Sequence, residues 1–492
     1  MMANSFDWDG ELPPETEDEV YRALLRALQR KQGFGLFFVE CTKDQGQKIV
    51  ADLRQDLPQQ QIQELHLAGE VTTLTDQIAE RWQNQPFEVL VVEGLQASLY
   101  AYEDTKRFSG WNSDDTYHYS WRGVPKILNH LNQQREHLRN DFPARFVFLV
   151  PPFVVDYFIQ RAADFLDWRS GLFRFPRHPR EIAQDAERFA AGDYTEYLTL
   201  SPPARIEKIL ELKSLQEVCP DSESKTSLLF QLGLLFVAQQ EYGNAVISWD
   251  KALEIKPDKH DAWYNRGLAL SDLGRNEEAI ASYDQAVAIK PDFHEAWNNR
   301  GYALDDLGRK EEAIASYEQA VAIKPDKHAA WYGRGTALSA LGRKEEAIAS
   351  YEQAVAIKPD YHEAWYNRGN ALSDLGRKEE AIASYDQAIA INPEYRFPWK
   401  SRAVVLMQLG QFEAAHESFD RAISLKPDDG GAHYDKACCY GLQGKIELAI
   451  ETLQHSIALD SKYRDMAKTD SDFDGIRQDE RFRALIGESV EG

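Results

Sequence analysis

The stretch from Gly35 to Lys48 has residue types and spacing that could hold a phosphate. An apolar run, GLFFVE (Gly35–Glu40), leads into ECTKDQGQKIVADL, which opens a helix. A strand-to-helix turn of this kind can aim backbone N–H groups at an anion. The pattern that does so in nucleotide enzymes is G-x-x-x-x-G-K-[ST], where the Lys reaches the outer phosphates and the hydroxyl holds magnesium. Aligned on Gly46, Cys41 stands for the first Gly, Gln47 for the Lys and Lys48 for the hydroxyl residue. Glu93 closes a later apolar run, where a metal-holding acid would sit. Without the Lys and the hydroxyl, charge developing on a transferring phosphoryl group has no local counterweight. The expectation is therefore weak or absent hydrolysis. Lys43, Gly46, Gln47, Lys48 and Glu93 are the candidates for holding ATP or another nucleotide, and the alternative is a docking platform with no cofactor.

A second set of polar residues recurs at a fixed step. Trp263, Trp297, Trp331, Trp365 and Trp399 are 34 residues apart, as are Pro257, Pro291, Pro325, Pro359, Pro393 and Pro427. Such a period marks stacked supersecondary units with an extended surface, which suits binding more than catalysis. One unit, Ala262–Glu295, has two helical halves. The first carries Trp263, Gly267, Leu270 and Leu273 and ends at Gly274, which suits a left-handed cap. The second carries Ala279, Tyr283 and Ala286 and is stopped by Pro291. The order Trp263, Gly267, Ala279, Tyr283, Ala286, Pro291 resembles the tetratricopeptide repeat, a helix-turn-helix unit. One departure recurs: Arg266, Arg300, Arg334 and Arg368 replace the usual Leu, and a structural pairing with a neighbouring carboxylate is expected. Seven units fit between residues 228 and 465, degenerate at both ends as a solenoid requires.

The resemblance implies that the first helix of each unit lines a concave face. Offsets −2, +2, +5 and +9 from each Trp form one stripe. They are Asp261, Asn265, Leu268 and Asp272; then Glu295, Asn299, Tyr302 and Asp306; then Ala329, Gly333, Thr336 and Ala340; then Glu363, Asn367, Asn370 and Asp374. Asn repeated at one offset can donate to and accept from an extended peptide backbone, and it resembles the asparagine ladder of O-GlcNAc transferases. The acidic residues favour Lys or Arg on that peptide. The small residues at Ala329–Ala340 predict a dip that takes a large side chain. The stripe lacks the Lys/Asn/Arg set of carboxylate-clamp repeats, with Lys400 isolated, so a chaperone-tail receptor is not expected. The competing view is that polar residues merely solvate an exposed stripe.

Before the array, strand-like runs (Gly35–Glu40, Ile62–Leu67, Phe87–Glu93, Arg145–Val150, Gly171–Phe175) alternate with helical stretches, predicting a parallel sheet with helices on both sides. With the helix Ile127–Asn140 and ADFLDWRSGLFRFP, this part resembles NTPases of the AAA and STAND type. The fold class expected is an α/β P-loop-like parallel-sheet domain followed by an all-α tetratricopeptide solenoid, a right-handed superhelix. The boundaries expected are a disordered acidic start (1–14), the α/β domain (15–176), a helical connector (177–227), the array (228–465) and a capping helix (466–492). An insert between Glu93 and Ile127 offers Trp111, Tyr117, Tyr119 and Trp121 as partner anchors. His118 has no catalytic companion there.

Net charge is −24, from 56 basic and 80 acidic residues. Nucleic-acid binding needs clustered cations and is disfavoured. No apolar stretch is long enough to span a bilayer, and the acidic start is not a signal peptide, so a cytoplasmic location is expected by elimination. Cys41, Cys219, Cys438 and Cys439 show no metal-ligand spacing. The function expected is a scaffold or adaptor that grips an extended basic segment of a partner protein. The alternative is a STAND-like switch in which nucleotide gates oligomerisation and the array acts as sensor.

Overall fold

The computed structural model describes residues 16–67, 71, 73–99, 126–151, 154–155, 159 and 166–487. The acidic start 1–14 and the anchors Trp111, Tyr117, Tyr119 and Trp121 lie outside these residues. The chain forms two compact units, Met1–Leu273 and Gly274–Gly492.

The first unit contains a five-stranded parallel sheet. Its strands are β1 (Gly35–Glu40), β2 (Ile62–His66), β3 (Val89–Glu93), β4 (Arg145–Val150) and β5 (Gly171–Arg174), in the order β2-β3-β4-β1-β5. The strands with continuous apolar runs, β1, β3 and β4, are interior and buried along nearly their whole length, whereas the edge strands β2 and β5 are half-exposed. Interior strands covered on both faces have no solvent side to alternate toward, so their sequences read as unbroken apolar text. Beyond the sheet come the helices Pro179–Ala190, Tyr194–Thr199 and Pro202–Val218, then Ser222–Ala238, Tyr242–Ile255 and His260–Asp272. The three-helix stretch is tied to the next helix by Tyr197, whose hydroxyl donates to Gln231 Oε1 at 3.0 Å.

The second unit is an all-helical array. Its first helices are His294–Asp306, His328–Ala340, His362–Asp374, Arg396–Gln408 and Gly430–Leu442. Its second helices are Asn276–Ile289, Lys310–Ile323, Lys344–Ile357, Lys378–Ile391, Phe412–Leu425 and Ile446–Leu459. First helices end on glycines at positive φ, such as Gly308 (77°), Gly342 (77°) and Gly376 (75°). A left-handed residue there closes the helix and costs a side-chain-bearing residue energy that glycine avoids. The Trp indole then pins the loop: Nε1 of Trp331 donates to the Pro325 carbonyl at 2.8 Å, and Trp297, Trp365 and Trp399 do the same to their own prolines at 3.0 Å. In the last unit, His433 Nε2 lies 3.0 Å from the Pro427 carbonyl and takes the place of the indole.

Two contacts set the spacing of the helices. A Cβ added to Gly301, Gly335 or Gly369 would lie 2.6, 2.7 or 2.5 Å from the ring of Tyr317, Tyr351 or Tyr385. These tyrosines are fully buried. Each recurrent Arg pairs with a carboxylate as expected, and Arg300, Arg334 and Arg368 also reach a serine: Arg368 Nε donates to Glu352 on the preceding second helix (3.2 Å), and its Nη1 donates to Ser384 on the following one (2.6 Å). Arg300 does the same with Asp284 and Ser316, both at 2.6 Å. The array is closed by the helix Lys462–Thr469, a 3-10 turn and the helix Glu480–Ile486, which bury Phe473, Ile476, Phe482 and Ile486 against the last repeat.

Gly369→Ala forces a methyl into the Tyr385 ring. Overpacking of this kind is expected to lower stability by about 1–3 kcal/mol, seen as a lower urea midpoint with an unchanged m-value. A variant as stable as the parent would show that the helices do not depend on this close approach.

Candidate functional site

First helices of successive repeats in the second unit touch one another, while their second helices pack chiefly on the first helices. The first helices therefore form the inner wall. The stripe lies between them. Tyr302 is 38% exposed, and its hydroxyl donates to the Ala329 carbonyl on the next first helix at 3.2 Å. Asn367 Nδ2 donates to the Tyr332 hydroxyl at 3.0 Å. Asn370 Oδ1 accepts from Tyr385 at 2.8 Å. Asn299 Oδ1 accepts from Asn298 at 3.2 Å. Asn299, Asn367 and Asn370 are all half-buried.

The acids differ in their surroundings. Glu295 lies 2.7 Å from His294 and Glu363 lies 3.2 Å from His362. Asp374 pairs with Lys344 at 2.6 Å, and Asp306 is exposed. The volume left by Gly333 is not open. A Cβ there would meet the Tyr317 ring at 2.6 Å, so the expected dip is filled from beneath by that tyrosine. The Tyr317 hydroxyl is buried and has no hydrogen-bond partner among the described residues. Its counterparts Tyr351 and Tyr385 are placed against Thr336 and Asn370. Tyr302 occupies the corresponding position for Tyr317 and presents its ring edge-on at 5.5 Å. In the first unit, Asp261, Asn265 and Asp272 lie on the helix His260–Asp272, where Asn265 Nδ2 donates to the Asp261 carbonyl of its own helix at 2.9 Å.

An aromatic lining accompanies the stripe and was not expected from the sequence. Tyr332 and Tyr361 have centroids 4.9 Å apart, Tyr366 and Tyr395 are 5.5 Å apart, and Tyr395 and Phe397 are 5.4 Å apart. Phe397 is 43% exposed. Burial, then neighbouring phenols and carboxylates, pushes Tyr302 and Tyr395 up to about 12. Burial likewise raises Tyr332 and Tyr361, with Glu363 adding to both. The signal lay in offset +1 from Trp and in the residue four before it. These positions stand at opposite ends of one 34-residue unit and meet only when its helices stack.

The nucleotide reading fares differently. Only Cys41 and Thr42 separate β1 from the helix Lys43–Asp56, so no glycine-rich loop forms. Thr42 and Gln45 cap that helix reciprocally: Gln45 N donates to Thr42 Oγ1 (3.3 Å) and Thr42 N to Gln45 Oε1 (2.9 Å). Gly46 is inside the helix, its amide donating to the Thr42 carbonyl at 2.9 Å. A Cβ on Gly46 would sit 3.3 Å from Leu149, so this glycine serves helix-to-sheet packing. Lys48 lies 3.5 Å from Glu17, and Glu93 accepts from His66 at 2.9 Å. Lys43 and Gln47 are exposed on the helix surface.

The four cysteines are buried and free. Burial pushes the thiols of Cys41 and Cys439 up, to about 12 and about 11, away from thiolate chemistry. Cys438, Asp470 and Asp472 lie within 4.8 Å of one another. Asp470 already accepts from the Tyr434 hydroxyl at 2.8 Å. Burial also raises Cys438, opposite to what a metal thiolate requires. No helix among the described residues is long and apolar enough to cross a membrane.

Models of the tetratricopeptide repeat match residues 230–292, 271–328, 298–362 and 332–396, then 397–429 and 430–463. No curated protein matches the chain in sequence. Among solved structures, the chain is similar to YrrB, described as a TPR protein with an unusual peptide-binding site. The identity is 24% over 38% of this chain and 97% of that one, with a TM-score of 0.36. It is similar to MamA of Desulfovibrio magneticus RS-1 (22% identity, 35% and 97% covered, TM-score 0.34) and to PilF of Pseudomonas aeruginosa (18% identity, 42% and 94% covered, TM-score 0.37).

Phenols raised by burial stabilise the fold only while protonated. Their folded values exceed the ordinary value of about 10, so the folded state holds protons that the unfolded chain releases. Stability is expected to be intact below about pH 10 and to fall as pH climbs toward about 12, the value reached by Tyr302, Tyr351 and Tyr395. The check is the urea midpoint across that window. A flat profile would mean that these hydroxyls are not shielded from water.

Proposed function

Residues 230–463 are tetratricopeptide repeats, and on that premise we propose that the protein is an interaction scaffold whose inner wall holds an extended, basic segment of a partner protein. One observation carries this reading. The second helices Lys310–Ile323 and Lys344–Ile357 have the same sequence, KEEAIASYEQAVAI, and Lys378–Ile391 differs at two positions. The first helices around them read HEAWNNRGYALDD, HAAWYGRGTALSA and HEAWYNRGNALSD. Their differences fall on the four stripe offsets, on offset +1 and on the residue before the last. Passive copying of a unit preserves both helices alike. Variation gathered on the inner wall, over an unvarying scaffold, fits a surface shaped toward a ligand.

The chemistry of that wall suits a peptide. An Asn amide has two N–H groups and a carbonyl, so the bond from Asn367 to Tyr332 uses one donor and leaves the rest for a backbone. Acids without a Lys or Arg among the stripe residues of the second unit favour cationic side chains. Asp261, Asn265 and Asp272 repeat the same residue types in the first unit. The α/β domain is proposed as a docking platform without hydrolytic activity. A nucleotide-gated switch would need an anion-receiving turn after β1, and the amides of Gln45 and Gly46 are committed to Thr42. Equilibrium dialysis of the full chain with radiolabelled ATP is expected to retain none, and retention that Lys48→Ala abolishes would restore the switch.

The groove is tested on the full chain with a dye-labelled Gly-Ser dodecapeptide carrying spaced arginines. Each ladder bond contributes about 1 kcal/mol, so Asn299→Ala with Asn367→Ala is expected to weaken anisotropy-measured binding by roughly thirtyfold. Raised salt should weaken it further. Unchanged affinity in the double variant sinks the ladder.

A further inference from the structure

The lining of the inner wall carries a more specific assignment, which rests on the groove reading above. Tyr332, Tyr361, Tyr366 and Tyr395 gather where the helices His328–Ala340 and His362–Asp374 meet the loop ahead of Arg396. Glu363 stands on the same first helix as Tyr366 and Asn367. The His362 ring that it touches meets Tyr395 edge-on at 5.0 Å, which sets the carboxylate beside the cluster. Its near neighbour is an imidazole, His362 at 3.2 Å, not a Lys or Arg.

Ring faces are electron-rich and attract cations, and a nearby carboxylate adds to the same field. The cluster already shows this behaviour at its margins. Lys358 Nζ lies 5.2 Å over Tyr361, and Arg396, held by Asp429 at 2.6 Å, lies 4.2 Å over Phe397. Among the described residues, no cation lies over Tyr332, Tyr366 or Tyr395. A planar guanidinium can stack on a phenol face while donating to a carboxylate, which an ammonium matches poorly.

We propose that Tyr332, Tyr366 and Tyr395, with Glu363 beside them, form a subsite of the groove for one arginine side chain of the bound segment. Asn367 lies one residue beyond Tyr366 and bonds the Tyr332 hydroxyl, so the ladder would hold the backbone beside the subsite. Glu363 and the three rings are positioned by first helices whose spacing the buried tyrosines fix, so the subsite is built in advance of the ligand.

The test uses the full chain and three dye-labelled Gly-Ser dodecapeptides with Arg, Lys or Gln at the same spaced positions. Arg over Gln is expected to be favoured about tenfold, with Lys between them. Tyr366→Leu with Tyr395→Leu should abolish the preference, bringing the Arg and Gln peptides to equal affinity, and the corresponding Phe variants should keep it. Glu363→Gln, half-exposed and safe for folding, should reduce the preference severalfold, which keeps the test decisive if the Leu variants unfold. Equal binding of the Arg and Gln peptides, still weakened by Asn299→Ala with Asn367→Ala, would overturn the subsite and leave the groove. Binding of none of the three peptides would overturn both.

Discussion

The array depends on how closely a tyrosine ring can lie against a helix backbone. Gly301, Gly335 and Gly369 leave room for Tyr317, Tyr351 and Tyr385, and a single methyl at any of them would fall well inside van der Waals contact. Interiors packed to crystal density tolerate no such intrusion. The chain itself supplies the control. In the sixth repeat the glycine is Ala403 and the ring is Phe419, and in the seventh the pair is Ala437 and Leu453. In the first repeat the glycine is kept and the ring enlarged, with Trp249 against Gly233. Where the first helix gains bulk, the second gives up the hydroxyl or the ring.

That close approach has a polar consequence. Bringing helices together buries the ends of long side chains, and the recurrent Arg resolves this by spanning two second helices. Its charge finds a carboxylate on one side and a serine on the other, and its plane lies near the Trp of its own repeat, as with Arg300 and Trp297 at 5.8 Å. A Leu in that place would give apolar packing but no fixed direction. The guanidinium's fork sets both distance and orientation, so each repeat is registered on its predecessor. The half-buried geometry matters here, because the same pair on a fully exposed surface would contribute little.

The array was legible in the sequence because its determinants recur. Trp, Gly, Tyr and Pro return at one period, and each has a single physical job that any one copy reveals. The parallel sheet was legible for a similar reason, since VLVV and FVFLV can only be covered on both faces. The phosphate-loop resemblance rested on Gly46, and glycine is a residue type that serves two unrelated needs. A glycine that spares Leu149 a clash looks, in a string of letters, like one that turns a loop around an anion. The filled dip at Gly333 was hidden for another reason. What occupies it is Tyr317 from the preceding repeat, and a within-repeat reading does not bring the two together.

The aromatic lining was hidden by the long stretch of chain between its rings, and its position bears on how the inner wall can vary. Tyr332 and Tyr361 stand at opposite ends of one unit, and neither takes part in the glycine–tyrosine contact or the arginine latch. Residues freed from the scaffold's two constraints are the ones that can change without loosening it. A stack whose spacing is set by its second helices and by the Gly, Trp and Arg of its first helices can present Asn, Glu or Tyr inward without altering that spacing, although Tyr332 and Tyr361 also pack on the core. On the groove reading proposed here, binding and stability fall to different faces of the same helix, a separation that suits a repeated unit to recognition.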